Sequence, residues 1–284
     1  MNQTEISKCA QLDLLTELDR ICKKRNISYF LTGGTLLGAI RHGGFIPWDD
    51  DLDVALLRPE YEKLMEALGE ELDPAFFLHD WYTDPHSPLP YAKLKIRGTH
   101  YRETVSDRCA MDDAIFIDIF PYDNTPVCPK LQKKQAKQLF LLRRLIMVRA
   151  GFRLGGNSRG KRLFYGALRA VSFLLPMGWM KRRFDRICTW GGDGDSEFVT
   201  CLHGAYAYTR ETKPRAMLEK TVPHAFETGQ FPVPEDYDGF LRSHYGNYMQ
   251  LPPEEQRVGV HGVLLMDLGG YSVRSRLAAA TAEE

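Results

Sequence analysis

Between Tyr29 and Leu57 the chain reads YFLTGGTLLGAIRHGGFIPWDDDLDVALL, and no other stretch constrains the fold as strongly. Its order is strand, glycine turn, short helix, loop, acidic strand. Tyr29 to Thr32 is aromatic and β-branched enough for a strand, and Gly33-Gly34 directly after it allows a tight turn with backbone N–H groups facing outward. Thr35 is placed to cap a helix through Leu36, Leu37, Ala39 and Ile40, which Gly43-Gly44 stops. The positive end of that helix and the exposed N–H groups make an anion-binding corner, with phosphate the foremost anion.

After Pro47-Trp48 come Asp49, Asp50, Asp51 and Asp53, leading into Leu52, Val54, Ala55, Leu56 and Leu57. Strand alternation puts Asp49, Asp51 and Asp53 on one face. Carboxylates so placed repel unless a cation sits among them, and hard oxygen ligands suit Mg²⁺ or Mn²⁺. A metal beside a phosphate corner points to phosphoryl or nucleotidyl transfer, in which catalysis is largely charge neutralisation and positioning. Two other readings stay open. One is a solvated acidic surface, disfavoured because the run enters an apolar strand. The other is a calcium loop, since Asp49, Asp51, Asp53 and Glu60 stand at positions one, three, five and twelve, although Val54 occupies the position that wants glycine.

The segment GGTLLGAIRHGGFIPWDDDLDVAL resembles the signature of the LicD family of phosphocholine transferases, which is related to the fukutin-related phosphoribitol transferases. The resemblance implies a nucleotidyltransferase-type core, similar to the palm of DNA polymerase beta-like enzymes, in which a glycine turn precedes a metal-binding Asp-x-Asp pair. On this chain the turn is Gly33-Gly34 and the pair is Asp51 with Asp53, while Asp49 matches a further acidic position. IFIDIFPYD at 115–123 and FPVPEDYDGFLRSHYGNYMQLPPEEQR at 231–257 resemble later blocks of the family, with Asn247 standing where aspartate is the more usual residue.

The chain has 284 residues, enough for one large domain or a domain with an added lobe. Its 37 basic and 37 acidic side chains balance, but residues 129 to 186 hold sixteen Lys or Arg and one acid, Asp185. That segment carries +15 and the remainder −15, which suggests a lobe facing an anionic partner such as a membrane surface, lipid phosphate or glycan. The six cysteines lack C-x-x-C spacing, so free thiols in a reducing compartment are expected and zinc is not. No secretory signal pattern opens the chain, and no apolar run reaches the roughly eighteen residues of a spanning helix. Phe164 to Met180 comes nearest, interrupted by Arg169 and Pro176; it reads as a core helix or one lying on a membrane.

Further elements follow from periodicity. Helices are expected over Glu5 to Asn26, Pro59 to Leu72 and Glu235 to Tyr245, and residues 129 to 190 read as two long basic helices about GGNSRG. Strands are expected at Phe76 to His79, Tyr91 to Arg97, Ile115 to Phe120 and Glu197 to Leu202, with a hairpin over Val222 to Val233. In YAKLKIR, Lys93, Lys95 and Arg97 share a face and could neutralise a diphosphate, Lys95 foremost, or merely guard an edge strand. Arg41 and His42 close the first short helix and suit phosphate, or a salt bridge to the aspartates. Asp118 lies in the apolar strand IFIDIF, where a carboxylate is costly unless paired or metal-bound. It is the third candidate acid, as base or metal ligand. Trp81 and Tyr82 lie in a Pro-rich loop, where packing is the commoner role of aromatics; with Trp48 and Tyr122 they are otherwise candidate faces for a quaternary ammonium, and His261 is a core histidine or a candidate pocket residue.

The expected fold is therefore α/β (α+β), a nucleotidyltransferase-like mixed sheet with flanking helices. It would comprise a catalytic core at 1–128, a basic helical lobe at 129–190, and a 191–284 segment completing core and pocket. With the resemblance, the expected activity is Mg²⁺- or Mn²⁺-dependent transfer of a phospho-alcohol from CDP-choline or another CDP-alcohol to a glycan acceptor, possibly lipid-linked. Transfer from a nucleoside triphosphate and non-catalytic calcium binding are the alternatives. A cytoplasmic place, with peripheral membrane contact through residues 129–186, fits the charge, and no aromatic-basic alternation indicates nucleic acid.

Overall fold

The computed structural model describes residues 3–154, 159–204, 206–259 and 262–278. In chain order the helices are α1 (Gln3–Arg25), α2 (Gly33–His42), α3 (Arg58–Glu71), α4 (Pro129–Ala150), α5 (Arg159–Ser172), α6 (Met177–Cys188), α7 (Tyr208–Glu211), α8 (Ala216–Glu219) and α9 (Tyr237–Tyr245). The strands are β1 (Phe30–Leu31), β2 (Asp53–Leu57), β3 (Phe76–His79), β4 (Ala92–Ile96), β5 (His100–Glu103), β6 (Phe116–Asn124), β7 (Phe198–Thr200), β8 (Thr212–Pro214), β9 (Thr221–Phe226), β10 (Gly229–Pro234) and β11 (Val263–Asp267).

The main sheet runs β1-β2-β6-β4-β3, with β7 and β8 extending it from the end of β6. Among the described residues only β2 and β6 pair in parallel, joined by a long crossover that begins with α3; β4 pairs antiparallel with both β6 and β3. The expected mixed sheet with flanking helices is what the chain forms. Residues directly opposite on neighbouring strands share a face. The register therefore lays one polar row across the sheet: His79 opposite Lys93, Lys93 opposite Asp118, and Asp118 opposite Asp53. Beneath it Ile117 and Ile119, both fully buried, point into the core.

Helix α1 is buried nearly all round, not only along its apolar stripe. Leu14, Leu15, Leu18 and Ile21 enter the main core. Its polar side chains hold loops: Lys8 Nζ donates to the carbonyls of Ile46 and Pro47, Gln11 donates to Asp50, and Asp13 accepts from Tyr271, Arg274 and Ser275. A second, smaller core forms where Leu139, Leu142, Leu145 and Ile146 of α4 meet Met180, Phe184 and Ile187 of α6 and Trp81.

Several expectations need correction. The basic segment makes three helices, because Pro176 starts α6 and turns the chain by 98°. Of GGNSRG, residues 155–158 lie outside the described residues. The strand at 49 to 57 begins only at Asp53; Asp49 to Leu52 form a loop, so alternation does not align Asp49 and Asp51. Helix α2 starts at Gly33 with Thr32 at its N-cap, so Thr35 is inside the helix and does not cap it. Glu60 ends the calcium-loop reading: its carboxylate sits in α3, bound to the Ser28 N–H and Lys63, while Val54 is buried in β2. The strands β5, β8 and β11 were not foreseen.

Gly38 fixes how α2 meets the following loop, since a Cβ there would strike the Gly44 carbonyl oxygen and lie 3.2 Å from the Ile46 nitrogen. Both obstacles are backbone. Gly38→Ala should therefore cost about 1–3 kcal/mol, lowering Tm by roughly 2–12 °C. An unchanged melting curve would show that the loop moves freely.

Candidate active site

The site is built where α2 begins and the polar row ends. Gly33, at φ +56°, has no room for a side chain, because a Cβ would lie 2.6 Å from Asp53 Oδ2; at Gly34 it would strike Asp49 Oδ2. The two glycines thus let two carboxylates close on the positive end of α2. Thr35 Oγ1 accepts from the Asp53 N–H at 2.8 Å, fixing the start of β2. The corner expected to hold phosphate already faces two carboxylates. A phosphate can share it only with a cation between.

Carboxylate oxygens of Asp49, Asp50 and Asp51 lie within 4.8 Å of one another. Burial, then Asp51, Asp118 and Asp49, push the Asp53 carboxyl well above the usual carboxylate range, with Lys93 pulling the other way. Lys93 Nζ sits 2.6 Å from Asp118 Oδ1 and 3.2 Å from the Phe116 ring centre, with both side chains almost wholly buried. Asp118 Oδ1 is thus ion-paired with Lys93 and accepts no other hydrogen bond. An all-oxygen carboxylate set fits a hard divalent ion. Asp49, Asp51, Asp53 and Asp118 are the residues that would hold it.

Lys95 was expected to lead among the lysines, but the register gives that place to Lys93. Lys95 is buried two residues along the strand and donates to the Asp112 carbonyl, with Asp112 Oδ1 at 3.3 Å. Burial lowers its ammonium to about 8. Arg41 donates to the Tyr248 carbonyl at 2.7 Å, and His42 lies edge-on to Trp48. Arg257, which was not foreseen, lies 5.7 Å from the Trp48 ring centre.

Of the four aromatic candidates only Trp48 stays with the acids. It lines a cavity of about 430 Å³ together with Asp49, Asp50, Lys8 and Tyr101. Trp81 is buried in the second core, 5.5 Å from Phe184, and Tyr122 is buried against Phe30. Tyr82 is exposed and donates to Asp185 in the helical lobe. His261 lies outside the described residues. Lys8, Gln11 and Tyr101 were missed: all three reach the acidic loop, Tyr101 by donating to the Asp50 carbonyl at 3.3 Å. The buried polar side chains within the apolar α1 pattern were the available sign.

A second group of ligand-type residues, Asp123, Cys188 and His203, is fully buried. Arg58 already binds both Asp123 oxygens, at 2.7 and 2.9 Å. Burial raises the Cys188 thiol and lowers the His203 imidazole, keeping both neutral. Arg58 balances the Asp123 charge, and the group ties α3, β6 and α6 together.

The charge balance gives a paired expectation in EDTA. Lys93→Met should destabilise by about 3 kcal/mol by leaving Asp118 buried without its cation, whereas Asp53→Asn should raise Tm by relieving carboxylate repulsion. Thermal unfolding of both variants checks the signs; destabilisation by Asp53→Asn would mean the carboxylates are stabilised by their surroundings without a metal.

The family model described as LicD/FKTN/FKRP, nucleotidyltransferase domain, matches residues 26–135. The lipopolysaccharide cholinephosphotransferase LicD of Haemophilus influenzae is 29% identical over 255 residues, spanning 88% of this chain and 92% of that protein. The human ribitol 5-phosphate transferase FKRP is 37% identical over 51 residues, 18% of this chain and 10% of its own. An uncharacterised Rickettsia prowazekii protein is 42% identical over 57 residues, covering 20% of this chain and 21% of its own. The resemblance read from the sequence is thereby borne out: residues 26–135, which carry Asp49, Asp51, Asp53, Lys93 and Asp118, match the nucleotidyltransferase domain of the LicD/FKTN/FKRP type.

Proposed function

We propose that this chain is a phosphotransferase that moves a phospho-alcohol, phosphocholine foremost, from a CDP-activated donor to a sugar hydroxyl of a cell-surface glycan or its lipid-linked precursor, releasing CMP. The observation that carries the reading is the row Asp53–Asp118–Lys93 laid beside the N-terminus of α2. Alternating carboxylates and a buried ammonium are what a site needs to hold a cation and a diphosphate together. The activities that name the relatives, cholinephosphate transfer and ribitol 5-phosphate transfer, support phospho-alcohol transfer over other uses of this fold.

A divalent ion bound by Asp49, Asp51, Asp53 and Asp118 would neutralise the diphosphate. The N–H groups of Gly33 and Gly34 orient phosphate oxygens, and Lys93 offsets negative charge at the row. Asp118, ion-paired with Lys93, accepts the proton of the acceptor hydroxyl as the hydroxyl oxygen bonds to the phosphorus that carries the alcohol. The bond from that phosphorus to the bridging oxygen breaks, and CMP leaves with the electron pair. Arg257 beside Trp48, with Arg41 close enough to feel its charge, offsets the charge on CMP. The cavity beside Trp48 and Tyr101 suits a quaternary ammonium, which gains about 0.5–2 kcal/mol from each aromatic face.

Thermal shifts with CDP-choline, CDP-ribitol, CDP-glycerol, CTP and UTP, in Mg²⁺ and in EDTA, test the reading. A donor at a hundred times its Kd should add about 2.7 kcal/mol, or roughly 5–10 °C, only with Mg²⁺ and not in Asp51→Asn. Trp48→Leu should weaken CDP-choline more than CDP-glycerol. A response to CTP alone, with pyrophosphate released on turnover, would replace the proposal with nucleotidyl transfer.

A further inference from the structure

Helix α5 is oriented the wrong way round for a helix of a soluble lobe. Its inner side is held by polar contacts: Tyr165 accepts from Arg144 at 2.8 Å, and the Ser172 carbonyl accepts from Arg149 at 3.0 Å. Leu168 alone of its apolar residues packs against the second core. Its apolar stripe, Leu163, Phe164, Ala167, Ala170 and Val171, follows the i, i+1, i+4, i+7, i+8 spacing of one helix face, and that face is turned to solvent. Leu163 is 76% exposed and Phe164 58%.

The exposure continues round the bend into α6. Phe173 is 60% exposed, Leu174 80% and Trp179 45%. Single exposed apolar residues are ordinary, but six large ones on one helix and its following elbow mark an interaction surface. The same two helices bear exposed cations, Lys161 and Arg169 on α5 and Arg182 and Arg186 on α6. The segment from 129 to 186 that bears this surface carries +15.

We propose that α5 and the α5–α6 elbow dock the protein on an anionic lipid surface, with Leu163, Phe164, Phe173, Leu174 and Trp179 entering the acyl boundary and the flanking cations meeting lipid phosphates. The charge selects this occupant. A second copy would bring two +15 segments face to face, and a phosphate-only partner offers nothing to six protruding apolar side chains. Among the described residues no single helix is long and apolar enough to cross a membrane, and α5 and α6 are bent by 98° at their break, a shape that suits a pair lying in the interface. Each basic residue near an anionic leaflet strengthens partition about five-fold, so the bound state depends on lipid charge and on salt.

The test is co-sedimentation of the full chain with phosphatidylcholine vesicles, with and without phosphatidylglycerol. Binding should be at least about ten-fold greater with the anionic lipid and fall with added salt, with a blue shift in emission that Trp179→Phe removes. Leu163→Ser/Phe164→Ser/Leu174→Ser should bind about ten-fold or more weakly while keeping the melting temperature, since these side chains are exposed in the folded protein. Asp51→Asn should bind vesicles unchanged, which separates this surface from the transferase reading. Wild-type protein that stays in the supernatant with anionic vesicles would overturn the proposal. So would a triple-serine variant that binds as well as wild type, or light scattering that shows a dimer dissolved by the serine substitutions without any vesicle binding.

Discussion

Repulsion among carboxylates is the constraint on which the rest of the molecule depends. Asp49, Asp51, Asp53 and Asp118 converge where the central strands β2 and β6 begin, and burial there weakens the screening that water would provide. The fold answers with fixed positive charge on three sides. The first turn of α2 lies against the Asp49 and Asp53 carboxylates at its glycines, Lys93 lies against Asp118, and Lys8 sits beneath the loop near Asp49 and Asp50. Burial lowers the Lys8 ammonium even so, and its hydrogen bonds to Ile46 and Pro47 show that it also shapes the backbone bearing the acids.

Placing these charges needs a rigid frame, and α1 supplies much of it. An amphipathic helix normally leaves its polar side to water. Here Lys8, Gln11, Asp13, Glu17 and Asp19 are buried because loops fold over them, so one helix fixes the sheet through its leucines and the acidic loop through its polar side chains. The C-terminal segment is drawn in by the same means, through Asp13 and the bonds it accepts from Tyr271, Arg274 and Ser275. Parallel pairing of β2 with β6 then puts Asp53 opposite Asp118.

The parts of this arrangement that depend on neighbouring residues could be read from the sequence. Gly33-Gly34, Asp51, Asp53 and the isolated Asp118 in IFIDIF pointed to the site, and the central strands and helices fell within a few residues of expectation. What depended on register could not be read. Lys93 and Lys95 share a face, and only the pairing of β4 with β6 decides which one meets Asp118. Asp49 and Asp51 converge through a loop where strand alternation had been expected, and Trp81 and Tyr122 proved to be packing residues because core geometry is set by distant segments. Strands β5 and β11, which pair across more than a hundred and fifty residues, carry too little local pattern to be recognised.

Function follows from the same charge balance. Glycines, a helix N-terminus and a buried lysine bring acids together without fully neutralising them, which leaves room for a divalent ion and the diphosphate it would accompany. Titration of the purified chain with Mn²⁺, followed by the electron paramagnetic resonance signal of the free ion, tests this most directly. Loss of free-ion signal at stoichiometric Mn²⁺, abolished in Asp53→Asn and competed by Mg²⁺, is the predicted result. A signal that tracks total Mn²⁺ in wild type and variant alike would contradict the assignment of this carboxylate row as a metal centre.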